Sequence, residues 1–242
     1  MNDKHKTALV FGGARGIGAA IVARLAADGY RVAFTYVSRP DKAEALVATL
    51  QAQGHEAMAI QADSADPTAI QAAVARAVAR FGALDAAVVN AGVLRLGSID
   101  AFSLQDLDLV LDVNVRGVYL SIQAAAAQMR EGGRLVTIGS NTAERTGTAV
   151  GTVYAMSKAA VASMVKGVAL DLAPRGITVN NVQPGPTETD MTSEMAEHLK
   201  PQVPLRRLGE PAEVGALVSY LCGPQSRFMT GASLTIDGGY VL

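Results

Sequence analysis

The sequence predicts a single α/β domain over residues 1–242, a doubly wound parallel sheet of about seven strands flanked by helices. Three observations carry this expectation. Short apolar runs alternate with longer helical patterns from one end of the chain to the other. The first apolar run opens into a glycine-rich turn that leads directly into a helical pattern. Polar or glycine residues then gather at the carboxyl ends of the apolar runs, where an open parallel sheet binds its ligands.

The elements follow in order. Thr7–Phe11 reads as the first strand, and in the helix expected over Ile17–Asp28 the residues Ile17, Ile21, Val22 and Leu25 have the spacing of one buried face. A strand at Arg31–Tyr36, a helix at Asp41–Gln53 and a strand at Ala57–Ile60 come next. Asp66-Pro67 has the form of a helix start, an N-cap followed by proline at the first helical position, and opens the stretch Pro67–Phe81. Leu84–Val89 is the fourth strand. Ser103–Arg130 reads as one long helix, in which the alanines of Ala124–Ala127 suit close helix packing. Arg134–Gly139, the helix Val153–Ala173 and Thr178–Val182 complete the middle of the chain. Pro184–Pro204 carries four prolines and is the least regular stretch, so a movable flap is expected at about residues 186–205. The helix Pro211–Leu221 and the strand Ser233–Ile236 end the pattern, and no linker or repeat divides it.

Composition narrows the classes of function. Half the residues are hydrophobic, yet no uncharged apolar run approaches the roughly 20 needed to cross a bilayer, so no membrane partner is expected. Met1–Lys6 has no apolar signal region, and Cys222 is the single cysteine, which excludes an intramolecular disulfide; both suit a cytoplasmic location. A net charge of −1 without a Lys/Arg block gives no field for nucleic acid. His5, His55 and His198 are scattered, and no Cys/His cluster has metal-ligand spacing, so no metal is expected. A small molecule is the partner this composition favours.

The turn Gly12-Gly13-Ala14-Arg15-Gly16-Ile17-Gly18 suits a dinucleotide. Glycines let the backbone approach a pyrophosphate, and the following helix presents its positive end. Proteins that bind NAD usually place a carboxylate at the end of the second strand to hold the ribose 2′-hydroxyl. This chain has Tyr36 there, then Val37, Ser38 and Arg39, with Arg15 nearby. The missing carboxylate and the guanidinium forks, which match phosphate geometry, favour NADP(H) over NAD(H). At the other strand ends stand Asp63-Ser64, Asn90-Ala91-Gly92, Ser140 and Pro184-Gly185-Pro186-Thr187. Tyr154 and Lys158 lie four apart on a helix, hence on one face, where an ammonium would lower the phenol from its ordinary value of about 10. No histidine lies near these strand ends, which disfavours a Ser-His-Asp hydrolase.

In this order and spacing Gly12-x-x-x-Gly16-Ile17-Gly18, Asn90-Ala91-Gly92, Asn114, Ser140, Tyr154-x-x-x-Lys158, Pro184-Gly185 and the terminal Thr230-Gly231…Asp237-Gly238-Gly239 resemble a short-chain dehydrogenase/reductase, nearest its 3-oxoacyl-carrier-protein reductase-like group. The likeness runs from about Thr7 to Gly239 and implies a Rossmann-like fold. It implies an enzyme reversibly reducing a ketone or aldehyde with NADPH. Tyr154 would be the proton donor and Ser140 would hold the carbonyl oxygen. Lys158 would lower the Tyr154 pKa and bind the nicotinamide ribose, and Asn114 would position a relay water. Asp63 and Ser64 would contact adenine, Asn90, Ala91 and Gly92 the adenosine and ribose, and Pro184, Gly185, Thr187 and Thr189 the nicotinamide end. Met191, Met195, Leu199, Leu94 and Met156 would line an apolar substrate pocket. The long helices would pair in a homodimer or homotetramer.

Three positions depart from the family pattern. Phe11 stands where a hydroxyl usually braces the glycine turn, Ser64 replaces an apolar residue, and Thr187 replaces a branched apolar one. Asp63–Asp66, Gln183–Pro186 and Thr189-Asp190 are also similar to a cyclic di-GMP-binding biofilm-dispersal member of the family. A cyclic-dinucleotide-binding regulator with little catalysis is therefore the alternative reading.

Overall fold

The structure, a computed structural model, describes residues 6–147 and 149–242. His5 and the rest of the first five residues lie outside the described part. Seven strands form one sheet in the order β3-β2-β1-β4-β5-β6-β7. They are β1 Lys6–Phe11, β2 Tyr30–Tyr36, β3 Ala57–Gln61, β4 Leu84–Val89, β5 Met129–Ile138, β6 Thr178–Pro184 and β7 Ser233–Ile236. Every pairing is parallel, with Val10 opposite both Phe34 and Val88. The strand order reverses between β1 and β4, which opens a crevice at their carboxyl ends.

Alternation along β1 shows how both faces are covered. Ala8 and Val10 join Ile21, Val22, Leu25, Phe34, Leu50, Val218 and Leu221 on one side, against α1 Gly16–Ala27, α2 Pro40–Ala52 and α8 Pro211–Cys222. Leu9 and Phe11 join Ile70, Ile122, Leu135, Val161 and Ile177 on the other, against α3 Pro67–Phe81, α5 Gly117–Gln128 and α6 Thr152–Leu172. Burying each such large side chain contributes about 1.5–3 kcal/mol. The start of α3 is capped as its sequence implies, the Asp66 carboxylate accepting the Thr68 amide at 2.8 Å. Cys222 is buried at the end of α8, and the Tyr30 hydroxyl donates to its carbonyl at 2.9 Å.

Two elements differ from the sequence reading. The stretch expected as one helix over Ser103–Arg130 is divided into α4 Leu104–Leu111, a π turn at Asp112–Arg116 and α5. The division lies where Gly117 presses on β3's outgoing loop, since a β-carbon there would sit 2.2 Å from the Ser64 carbonyl oxygen. Strand β5 begins at Met129, five residues before the expected Arg134, with a register shift opposite Leu84–Ala86. The helical run Thr152–Arg175 is long and apolar enough to cross a bilayer by length and composition, at a mean hydropathy of 1.2. It contains Lys158, Lys166 and Asp171, however, and packs Val161, Val165 and Ala169 into the core.

The proline-rich stretch after β6 is wound into short turns around α7 Ala196–Leu199 and pinned at both ends. Gly209 bridges the neck with two backbone bonds, accepting from Glu188 N at 2.9 Å and donating to Pro186 O at 2.9 Å. At its far end Leu205 N donates to Gly238 O at 3.3 Å.

Candidate active site

A cavity of about 460 Å³ occupies the crevice at the strand-order reversal. Its wall brings together Gly12, Arg15, Gly16, Ile17, Gly18, Tyr36, Ser38, Arg39, Asp63, Ser64, Asn90, Ala91, Gly92 and Thr189, each singled out in the sequence. Pro184, Gly185 and Thr187 lie beyond that wall, at the end of β6.

Sterics explain the glycines. Gly12 has φ 75, and a β-carbon on it would lie 2.9 Å from Ala91 Cα; one on Gly18 would lie 2.0 Å from the Gly12 carbonyl oxygen. Phe11 supplies no hydroxyl to brace this turn, and a residue the sequence reading passed over does so instead. Thr35 Oγ1, at the end of β2, accepts the Gly12 amide at 2.9 Å, while the Thr35 carbonyl accepts Gly13 N at 2.9 Å. Asn90 Nδ2 donates to Gly12 O at 2.7 Å, so this side chain clamps β4 to the turn. Helix α1 has no acidic residue in its first turn, and its N-cap is Arg15. The positive end of the helix therefore stays unneutralised, which fits a pyrophosphate.

At the outer end of the cavity Ser38 and Arg39 are exposed. The Arg39 guanidinium forks onto Asp41, with Nε at 3.0 Å and a terminal nitrogen at 2.6 Å, and holds that carboxyl down at about 2. Arg15 pairs with Asp190 at 3.4 Å, linking the glycine turn to the stretch after β6. Asp63 accepts the Ala65 amide at 2.9 Å, and Ser64 is buried. Thr187, the third departure from the family pattern, donates its hydroxyl to Gly185 O at 2.9 Å and is buried.

Beyond the cavity wall, past Gly92, lie the remaining candidates. The Tyr154 hydroxyl hydrogen-bonds with Ser140, whose Oγ also accepts Thr142 N at 3.2 Å and Thr142 Oγ1 at 3.0 Å. Lys158 is buried, and its Nζ donates to Ile138 O at 3.1 Å, at the end of β5. Asn114 lies fully buried in the π turn. Its Oδ1 accepts Val93 N at 2.8 Å, and its Nδ2 donates to Val93 O at 2.9 Å and to Ser157 Oγ at 3.1 Å. Gly92 joins these groups, since a β-carbon there would sit 3.4 Å from both Asn114 Oδ1 and Lys158 Nζ.

Electrostatics among these groups run against one expectation. Lys158 was expected to pull the Tyr154 phenol down, but burial raises it, opposed in part by the Ser140 hydrogen bond. Burial also lowers Lys158 itself, to about 8. Removal from water is the first cause of both shifts.

The expected apolar pocket is met only in part. Met191 lines the cavity, whereas Met156 stands two residues from Tyr154, about 200° around the helix from the site face, and is exposed. Just ahead of α6, Val150 accepts the Gly97 amide at 2.9 Å while held at φ 68, a conformation foreign to a β-branched residue. Among the described residues no group of three or more His, Cys, Asp and Glu side chains is placed to hold a metal ion.

Comparison with known proteins adds to this geometry. A family model described as enoyl-(acyl carrier protein) reductase matches residues 12–241. The cyclic-di-GMP-binding biofilm dispersal mediator protein of Escherichia coli is 43% identical over 238 residues, covering 97% of each chain. A Staphylococcus aureus 3-oxoacyl-acyl-carrier-protein reductase is 37% identical over 240 residues, again covering 97% of each. Among solved structures, a short-chain dehydrogenase/reductase from Serratia marcescens superposes with a TM-score of 0.96 at 50% identity, covering 99% of each chain. A short-chain dehydrogenase from Burkholderia cenocepacia in complex with NADP does so with a TM-score of 0.96 at 49% identity, with the same coverage.

Proposed function

The chain belongs to the short-chain dehydrogenase/reductase family, and from that premise we propose that it is an NADPH-dependent reductase of a ketone or aldehyde, able to run in reverse as an alcohol dehydrogenase. The observation that carries the reading is the convergence of Ser140, Tyr154 and Lys158 beside a cradle whose glycines leave room for a dinucleotide. The relative whose structure was solved with NADP supports the cofactor.

Gly12, Gly16, Ile17 and Gly18 would cradle the pyrophosphate, and Arg15, Ser38 and Arg39 the 2′-phosphate. Tyr36, Asp63, Ser64, Asn90, Ala91 and Gly92 would flank the adenosine side. Pro184, Gly185, Thr187 and Thr189 would hold the nicotinamide end. When bound, the cofactor supplies the hydride. The rest falls to the protein. Tyr154, a phenol protonated at neutral pH, would give its proton to the substrate oxygen. Ser140 donates a hydrogen bond to that oxygen where negative charge develops. Lys158, lowered to about 8, can lose and regain a proton near physiological pH and so resupply Tyr154. Asn114 has committed its side chain to Val93 and Ser157, so a relay water would rest on its main-chain carbonyl.

Tyr154→Phe tests the reading. It should abolish carbonyl reduction while NADPH binding, followed by fluorescence, stays within about twofold of the wild type. Retained turnover would overturn the assignment. Exposed Leu104, Tyr119, Met156 and Leu170 on α4, α5 and α6 support assembly into a homo-oligomer through those helices. The stretch at 186–205 would act as the flap over the substrate.

The similarity to the cyclic-di-GMP-binding relative favours a second reading, a regulator on the same fold. The intact Asn114, Ser140, Tyr154 and Lys158 set weighs against it, because a pure binder does not need a proton donor with a resupply route. Parallel titrations with NADPH and cyclic di-GMP separate the two.

A further inference from the structure

We propose that Asp237 is a positioning residue that sets the Ser140 hydroxyl against the nicotinamide end of the site, acting through Asn141. The inference rests on the reductase reading above. It starts from an unusual meeting of three segments. Asn141, buried and next in sequence to Ser140, donates its Nδ2 to Asp237 Oδ2 at 3.2 Å. The same carboxylate accepts Gly239 N on Oδ1 at 2.9 Å and Val241 N on Oδ2 at 3.1 Å. Gly185, at the end of β6, is wedged against both partners. A β-carbon there would lie 2.4 Å from Asp237 Cβ and 3.3 Å from Asn141 Nδ2. Its amide is held by Ile236 O at 3.0 Å.

The Asp237 carboxylate thus ties the turn that carries Ser140 to residues 239–241, and its Cβ packs on the Pro184-Gly185 corner. The Ser140 turn is short, a 3-10 turn at Asn141–Ala143 whose internal bonds run from Ala143 N to Ser140 O and from Glu144 N to Asn141 O, each at 3.0 Å. Such a turn has little intrinsic rigidity; Gly139 N to Val182 O at 2.7 Å and Gln183 Nε2 to Glu144 Oε1 at 3.2 Å hold its two ends to β6, and the Asn141 side chain tethers its middle. The chain end is itself fastened to the base of the proline-rich stretch. Leu205 N donates to Gly238 O at 3.3 Å, and the Tyr240 hydroxyl donates to Gln202 Oε1 at 3.2 Å. Asp237 touches no reacting atom. Its part is to place Ser140 and the Gly185 corner in one frame.

Asp237→Asn keeps the size of the side chain but leaves a single acceptor oxygen facing three donors. The expected result, with NADPH and a panel of ethyl acetoacetate, acetophenone and benzaldehyde, is a loss of about tenfold in kcat with the NADPH Kd unchanged within twofold. In the cofactor-free variant, amide hydrogen exchange at Asn141–Ala143 should quicken. Asn141→Ala removes the donor while Asp237 keeps its two backbone partners; it should lose kcat by a similar factor, and the double variant Asn141→Ala with Asp237→Asn should lose little more than Asp237→Asn alone. A variant with wild-type kcat overturns the proposal, as does a double variant whose loss is the product of the two single losses. If the wild type binds NADPH but reduces none of the panel, the reductase reading falls and takes this role with it; an active wild type with an equally active variant removes the positioning role alone.

Discussion

Lys158 Nζ lies 5.6 Å from the centroid of the Tyr154 ring, yet its hydrogen bond goes to the Ile138 carbonyl at 3.1 Å. The cation is anchored to the end of β5, with the phenol alongside it. That arrangement keeps the ammonium in place when no ligand is bound, at the expense of burying a charge.

The burial has a pH signature. Lys158 titrates at about 8 in the folded chain against an ordinary 10.5, so between those values the unfolded chain binds more protons. Stability contributed by this group therefore rises as the pH climbs from about 8 to about 10.5, and below 8 the full burial penalty is present. Lys158→Met should raise the stability of the cofactor-free protein at pH 7 by about 1–2 kcal/mol, the burial penalty less the lost bond to Ile138, with turnover abolished. The gain should shrink by pH 10. Thermal melts across that range measure it.

Arg39 reaches any 2′-phosphate only by releasing Asp41. An exposed pair of this kind is weakened by water and salt, whereas a bidentate charge-assisted contact to a doubly charged phosphate is stronger, so the phosphate wins. Arg39→Ala should raise the NADPH KM about tenfold or more and leave NADH unaffected. Asp41→Asn should shift preference further toward NADPH. Steady-state kinetics with both cofactors decide this, and equal use of the two by the wild type would contradict it.

Thr35 is the brace of the glycine turn. Thr35→Val keeps the shape and strands the Gly12 amide, at a cost of about 1–3 kcal/mol. The expected outcome is a lower melting temperature together with weaker NADPH binding. Thr35→Ser, which keeps the hydroxyl, should restore both.

Val150 stores strain just ahead of α6. At φ 68 a β-branched residue is disfavoured by about 1–3 kcal/mol, and glycine is not. Val150→Gly should therefore raise the melting temperature by about 2–5 °C even though glycine loosens the unfolded chain. A melting temperature that falls would show that the left-handed backbone is not under load.

Much of this was legible in the sequence, because a parallel sheet announces itself through buried runs and the site follows from where those runs end. Leu84–Val89, Pro67–Phe81 and Ser233–Ile236 have the bounds their patterns suggest. The π turn around Asn114 was not legible, since one extra residue in a helical ladder barely disturbs hydrophobic spacing. Thr35 was hidden for another reason. Its role depends on β2 lying beside β1, and no local motif encodes a partner 23 residues away. Asn141 and Asp237 are further apart still, at a separation of 96. The direction of the Tyr154 shift was misjudged because spacing shows which groups meet but not how dry their surroundings are.

Cys222 is the chain's single thiol, sealed beneath Tyr30 at the end of α8 and pushed up to about 12 by burial. A thiol in that state is inert to alkylation and oxidation while the helix stays docked. Its reaction with a maleimide thus acts as a clock that runs only when α8 lifts from the sheet. Without any engineered label, the protein reports its own rate of opening.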